Sequence, residues 1–380
     1  MGRCKANVIY NINNRSVIQD LKDFQDKSQI QISISQKPNN EFLQLIKQMK
    51  KIDTIQYIKI QEGSFQQNLS QFLNVLQNSI KNQKNFTKFK IVISKFHKLN
   101  VQETNYIKEC LTENIQSISI KFGAVSLKNI EKILKSIKNY DIIKNLKLQI
   151  DLVNNENGDS ILQLISRCNH LNKMKILINN SFFDEEKTVC FQLQECESLE
   201  TSLEIINNIS NLKQAQNLRK LDLVIDKTKQ IFFDRFLNIQ IQFLQNLQQL
   251  SLNIIQSNDF YLKFLESALP QLSKTSQLHI KYQDGYGTEF SKIASLLFSN
   301  NQIKQFTFYD LVKKLQIKDS DFHMLCNIQH LKLVALISDQ KEYKQLRKLT
   351  NLITIQLLYS VKEIKNILKI KRLVSYKIGI

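Results

Sequence analysis

Residues Asn246 to Ile254 read Asn-Leu-Gln-Gln-Leu-Ser-Leu-Asn-Ile, and this stretch decides the fold. Leu247, Leu250 and Leu252 make the spacing Leu-x-x-Leu-x-Leu, and Ile254 continues the alternation. Successive residues of a strand point to opposite faces, so the pattern predicts one strand with an apolar inward side, preceded by an entry anchor. With Leu250 as register mark, the pattern returns at Ile58, Phe89, Ile118, Leu146, Met174, Leu203, Leu221, Leu278, Phe306, Leu331, Ile355 and Tyr376. Taken in chain order with Leu250 in place, the steps are 31, 29, 28, 28, 29, 18, 29, 28, 28, 25, 24 and 21 residues. Ile30, in the alternating run Ile30, Ile32 and Ile34, lies another 28 residues before Ile58. A recurrence of this length marks stacked repeats, which can lengthen one body without enlarging any single core. It therefore outweighs the two or three domains that 380 residues would otherwise suggest.

Between the strands the apolar period changes from two to that of a helix. Phe42, Leu45, Ile46 and Met49 share one helical face, as do Leu69, Phe72, Leu73, Leu76 and Ile80, and again Leu127, Ile130, Ile133, Leu134 and Ile137. Asp159 is placed to cap a helix bearing Ile161 and Leu162, and Thr288 one bearing Ile293 and Leu297. Each repeat is thus a short strand followed by an amphipathic helix, and neither buries its apolar side without neighbours. Residues 181–216 break the rhythm. Leu203 and Ile205 keep the spacing from Met174, yet only 18 residues separate Leu203 from Leu221, which predicts a shortened or irregular unit. Val8, Tyr10 and Ile12 predict an edge strand in an N-terminal cap at residues 1–26. No linker rich in Pro, Gly or Ser divides residues 27–380, so the expectation is a single solenoid.

The chain resembles leucine-rich-repeat proteins, and its period with one helix per unit is similar to the ribonuclease-inhibitor-like subclass. Ile143-Lys-Asn-Leu-Lys-Leu-Gln-Ile, Leu218-Arg-Lys-Leu-Asp-Leu-Val-Ile and Leu247-Gln-Gln-Leu-Ser-Leu-Asn-Ile carry the likeness best. The resemblance implies an α/β leucine-rich-repeat solenoid, a horseshoe with a parallel sheet on the concave face and helices on the convex face. It also implies a non-enzymatic, protein-binding scaffold. The repeats are degenerate. The family's Asn or Cys, three positions after the last Leu of the strand, is met by Asn179, whereas Gly123, Asp151, Asp226, Ile255 and Leu311 stand there in other units. That side chain normally satisfies buried backbone groups at the turn, which an apolar residue cannot do.

The formal net charge of +19, from 53 Lys and Arg against 34 Asp and Glu, favours an anionic partner without choosing among acidic protein, nucleic acid and acidic lipid. Cys4, Cys110, Cys168, Cys190, Cys196 and Cys326 are scattered and form no Cys-x-x-Cys, the pattern of reduced core thiols in an intracellular protein. No apolar run reaches membrane-spanning length and the first twenty residues lack a signal-peptide core, so a cytoplasmic location is expected, with the nucleus as alternative. Gly2 and Cys4 stand where a doubly acylated N-terminus carries its chains, but Ala6 replaces the Ser or Thr that myristoylation wants. Membrane attachment is expected only with that modification. Catalytic signatures are missing. There is no glycine-rich phosphate loop, no His-Glu-x-x-His and no Gly-x-Ser-x-Gly, and Asp321-Phe-His is not a kinase Asp-Phe-Gly. His97, His170, His279, His323 and His330 show no ligand spacing. The expectation is a protein without catalytic residues, metal or cofactor.

Residues lying between the inward apolar positions share the opposite, accessible face of the sheet. Read down the stack, that column is Gln31, Lys59, Lys90, Ser119, Lys147 and Lys175, then Glu204, Asp222, Ser251, His279, Thr307, Lys332, Gln356 and Lys377. Lys88, Lys121 and Lys173 stand in flanking columns and Tyr57 adds an aromatic ring. These eight residues, Tyr57, Lys59, Lys88, Lys90, Lys121, Lys147, Lys173 and Lys175, form the expected docking stripe. Like charges stacked about 5 Å apart repel, and an acidic protein segment would relieve that repulsion. The alternative is RNA or DNA using the stripe as a phosphate track. Against it, no aromatic residues interleave with the basic column and no nucleic-acid-binding motif is present.

Overall fold

The computed structural model describes residues 8–11, 29–34, 57–62, 69–81, 83, 86–93, 97–184, 187–210, 212–226, 230–256, 260–283, 290–315, 319–337, 349, 351–358 and 375–379. They fall into two compact units, an N-terminal one (Met1–Cys196 with Asn208–Asn211) and a C-terminal one (Glu197–Asn207 with Leu212–Ile380).

In the N-terminal unit the alternating segments become β1 (Val8–Asn11), β2 (Gln29–Ile34), β3 (Tyr57–Glu62), β4 (Lys88–Ile93), β5 (Ser117–Val125), β6 (Asn145–Asn157) and β7 (Lys173–Phe182). Each pairs in parallel with the next. Ile30 lies opposite Ile58, Ile58 opposite Phe89, Phe89 opposite Ile118, Ile118 opposite Leu146 and Leu146 opposite Met174. The repeat mark read from the sequence is therefore the strand register, and β1 continues it with Val8 opposite Ile30. In the C-terminal unit the strands are β8 (Ser198–Ser202), β9 (Lys220–Asp226), β10 (Gln249–Gln256), β11 (Gln277–Tyr282), β12 (Gln305–Leu315), β13 (His330–Ile337), β14 (Thr354–Leu358) and β15 (Ser375–Gly379). Here the marks Leu221, Leu250, Leu278, Phe306, Leu331, Ile355 and Tyr376 face one another in turn.

One mark moves. The rung of β8 is Leu199, which lies opposite Leu221, while Leu203 opens helix α5 (Leu203–Asn207). The run Leu203-Glu-Ile205 fits inward alternation, but the Ser202 hydroxyl accepts the Ile205 amide at 3.2 Å, which starts a helix there. Leu203, Ile205 and Ile206 are buried from that helix, and Thr201 takes an inward strand position. The outward residue of this rung is accordingly Glu200, opposite Asp222, and not Glu204.

Parallel neighbours need a long crossover. The described residues between β7 and β8 (183–184 and 187–197) hold no helix, but most other described crossovers carry one. Those in the N-terminal unit are α1 (Leu69–Ile80), α2 (Val101–Cys110), α3 (Leu127–Lys135) and α4 (Asp159–Ile165). The C-terminal unit has α5, then α6 (Gln230–Arg235), α7 (Phe260–Ala268), α8 (Phe290–Ser299) and α9 (Asp319–Met324). The predicted faces are the buried ones: Leu69, Phe72, Leu73, Leu76 and Ile80 on α1, and Ile130, Ile133 and Leu134 on α3. The inward strand residues Ile91, Ile120, Leu148 and Ile176 are fully buried as well, so the core lies between sheet and helices. Each unit is thus an α/β stack with a parallel sheet on one side and helices on the other. Two helix starts need comment. Gly158, not Asp159, precedes the first turn of α4, and Asn157 Oδ1 accepts the Asp159 amide at 2.8 Å. The helix expected at Phe42 to Met49 and the Thr288 cap lie outside the described residues.

Cross-repeat hydrogen bonds tie neighbouring units together. Ahead of each strand the backbone ladder runs on: the Gln116 amide donates to the Thr87 carbonyl, Lys144 to Gln116 and Asn172 to Lys144, each at 2.8 Å. In the C-terminal unit Ser276 donates to Gln248 at 3.0 Å and Lys304 to Ser276 at 2.8 Å. Side chains from other positions add cross-repeat bonds. Asn129 Nδ2 donates to the Leu99 carbonyl at 3.1 Å, Asn246 Nδ2 to Gln216 at 2.7 Å, and the Thr275 hydroxyl to Leu247 at 3.0 Å. These bonds satisfy the carbonyls of Leu99, Gln216 and Leu247.

Candidate basic docking face

The strand register converts the predicted stripe into a lattice. Across β4, β5, β6 and β7 one row reads Lys88, Ser117, Asn145 and Lys173, the next Lys90, Ser119, Lys147 and Lys175, and the third Val92, Lys121, Gln149 and Leu177. β3 extends the first two rows with Tyr57 opposite Lys88 and Lys59 opposite Lys90. Lys88, Lys121, Lys147 and Lys173 are exposed, and Lys90 and Lys175 are half-buried against their neighbours. For Tyr57 and Lys59 the strand position is described, while their side chains lie outside the described part of the molecule. No carboxylate occupies any of the twelve positions.

A polar rim follows at the C-terminal ends of β6 and β7. Asn179 Nδ2 donates to Asp151 Oδ1, its partner in register. Beyond that pair the register slips, and residues 152–155 bulge opposite Asn180 before Glu156 meets Ser181. Asn180 has φ 54°, a left-handed conformation that Asn tolerates better than most side-chain-bearing residues, and its amide donates to the Leu152 carbonyl at 3.0 Å. The bulge so pinned raises the exposed Val153, Asn154 and Asn155 at the edge of the basic lattice.

The outward face of the C-terminal unit differs in chemistry. Gln249, Gln277 and Gln305 form one row and Ser251, His279 and Thr307 the next. Lys220 is paired with Asp222 at 3.1 Å, and His330 Nδ1 stands 2.9 Å from Thr354 Oγ1. Burial lowers the His279 imidazole below its ordinary value; Asp222 opposes that, and Lys220 and Lys332 add to it.

Sequence reasoning missed a buried polar cluster behind β4 and β5. His97 Nε2 lies 2.8 Å from Glu103 Oε2, with the two side chains 8% and 2% exposed. The Ser70 hydroxyl of α1 donates to Glu103 Oε1 at 3.0 Å, and the Asn100 amide to Oε2 at 3.1 Å. Burial alone would raise the Glu103 carboxyl, but the His97 hydrogen bond and charge, the Asn100 amide and the Ser70 hydroxyl together hold it below its usual value. Asn100 and Glu103 also close a reciprocal capping box at the start of α2. The Asn-x-x-Glu spacing was the one signal of this cluster visible in sequence.

Other reactive groups are dispersed. Cys110, Cys168 and Cys196 are buried and stand outside any disulfide, with Cys168 pushed by burial to about 12, whereas Cys190 is exposed and not a core residue. Among the described residues, no three His, Cys, Asp or Glu side chains are placed to hold a metal ion. Among them, too, no helix is long and apolar enough to cross a membrane. Gly2 and Cys4 lie outside the described residues.

No protein-family model matches the sequence, and no curated protein matches it. Among solved structures, the leucine-rich-repeat-containing protein LegL7 from Legionella pneumophila aligns at 12% identity and a TM-score of 0.34, over 87% of this chain and 82% of that one. The Toll–Spatzle complex of Drosophila aligns at 11% identity and a TM-score of 0.33, over 89% of this chain and 45% of the other. Agreement at that level carries no weight here, and the fold rests on the parallel strand register of the chain itself.

Proposed function

We propose that the chain is a non-enzymatic protein-interaction scaffold whose N-terminal sheet face docks an acidic segment of a partner protein. The residues offered for contact are Tyr57, Lys59, Lys88, Lys90, Lys121, Lys147, Lys173 and Lys175. The supporting observation is the lattice of β4 to β7, where six of twelve outward positions are lysine and none is acidic. A parallel sheet hydrogen-bonded on both sides holds those cations at fixed spacing, which lowers the ordering cost of binding. An anionic segment laid across the strands would offset their mutual repulsion.

The test is affinity capture from lysate with and without nuclease, using the full chain and the variant Lys90→Glu/Lys147→Glu/Lys175→Glu. The wild type should retain an acidic protein after nuclease and in moderate salt, and the variant should lose it by at least about tenfold in affinity. Partners that all remain bound to the variant would overturn the reading. Capture that vanishes with nuclease, with affinity falling steeply as salt rises, would put nucleic acid in its place.

A further inference from the structure

We infer that the partner's charge on this face is carried by phosphate, and that a phosphorylated side chain sits over Ser119 among Lys90, Lys121 and Lys147. The inference rests on the acidic-segment reading of the same face and deepens it.

The lattice supplies the geometry. Ser119 faces Lys90 on β4 and Lys147 on β6 across neighbouring strands, about 4.8 Å away on each side. Lys121 follows two residues on, about 6.7 Å along β5. A short hydroxyl side chain is thus bordered on three sides by long ammonium stems, with Ser117 on the fourth. The result is a shallow seat whose floor and walls both supply hydrogen-bond donors. Asn145 makes a lesser version of it, with Lys173 across the strand, Lys147 two residues on and Ser117 beside it. A carboxylate has two oxygens, while a phosphoryl group presents three around a tetrahedral centre and can take a donor from each side at once.

Charge density favours phosphate for a separate reason. The six lysines occupy about 14 Å across three strand spacings and about 13 Å along two side-chain repeats. An extended peptide repeats same-face side chains about every 6.7 Å, so it brings about two or three carboxylates over such a patch. Phosphorylated residues at those places carry about −1.5 to −2 each, and two or three of them approach the charge of the lattice. Single-stranded nucleic acid gains from bases stacked on aromatic rings, and none of the twelve outward positions is aromatic.

The experiment titrates the full chain with fluorescent peptides. One has Glu at every second position, a second has two adjacent Glu of that series replaced by phosphoserine, and a uridine oligomer of matched charge is the control. The phosphopeptide should bind about tenfold tighter than the Glu peptide, and phosphatase treatment should abolish that advantage. Lys121→Gln and Ser119→Asp should each erase the preference and leave the denaturation midpoint unchanged. Equal binding of the two peptides would overturn the phosphate seat while leaving the acidic-segment reading standing. If neither peptide binds, or if the oligomer binds as tightly as the phosphopeptide, both fall.

Discussion

In the C-terminal unit, rings fill the space between sheet and helices. Tyr261 meets Tyr282 at 5.5 Å between centroids, Tyr282 meets Phe308 at 5.7 Å, and Phe308 meets Phe290 at 5.5 Å. The N-terminal unit also buries rings, with Phe86 against Phe89 at 6.2 Å and Phe122 on β5, but its inward positions Ile91, Ile120, Leu148 and Ile176 are aliphatic and its interior holds the His97–Glu103 pair. The outward faces differ more, with lysines on β4 to β7 and mainly amides and hydroxyls on β10 to β12. One backbone repeat therefore accepts two interiors and two surfaces. Inward and outward positions alternate along every strand, so the two sides of the sheet can vary independently.

The contrast can be broken most sharply in the aromatic core. Phe308 is fully buried and touches Tyr282, Phe290 and Phe306, so Phe308→Ala should cost about 3–5 kcal/mol in urea denaturation. Leu148→Ala, at the same inward position of β6, should cost toward the lower end of about 2–5 kcal/mol, having no ring contacts to lose.

Next comes the buried ion pair. Glu103→Gln should destabilise by about 3 kcal/mol, because it leaves His97 without its carboxylate. Its folded pKa is depressed, so the wild-type contribution is present above the ordinary value of 4.5 and is lost as pH falls through the lower folded value. Denaturation midpoints from pH 6 down to about 2.5 should converge for wild type and variant; parallel curves would show that Glu103 does not carry this term.

Smaller effects test whether the two units are stitched alike. Asn129→Ala and Thr275→Val each remove one cross-repeat bond to a carbonyl, and each should cost about 1 kcal/mol. A cost confined to one unit would mean that such cross-repeat bonds stabilise that unit only. The smallest effect is at His279. Burial lowers its imidazole, so its contribution is present above the ordinary 6.5 and is lost as pH falls through the lowered folded value. An NMR titration should place its midpoint below 6.5, and a midpoint at or above that value would contradict its half-buried setting.

The repeat was legible because its signal is local and redundant. Thirteen marks, from Ile30 to Tyr376, recur at the pairing positions, and the helical faces of α1 and α3 follow from their own spacing. Leu203 failed for the same reason that others succeeded. Leu-x-Ile satisfies an inward strand and the start of an inward helix equally, and only the Ser202 cap separates the two. The basic stripe, with Ser119 between Lys90 and Lys147, could be read as a column, and the lateral pairing of β4, β5 and β6 follows that register. Nothing in the chain announces His97 as the partner of Glu103, since Ser70, thirty-three residues away, completes the group only when α1 and α2 pack together.

By itself, the amino-acid order determined which side chains turn inward, how often the strand recurs and where positive charge accumulates, because a two-residue alternation within a repeat is settled over a few bonds. Tertiary packing alone decided which carbonyl Asn129 or Asn246 reaches, where the bulge after Asp151 forms, and which hydroxyl reaches the Glu103 carboxylate. Those outcomes depend on groups brought together from neighbouring repeats, whose separation along the chain carries no local signature.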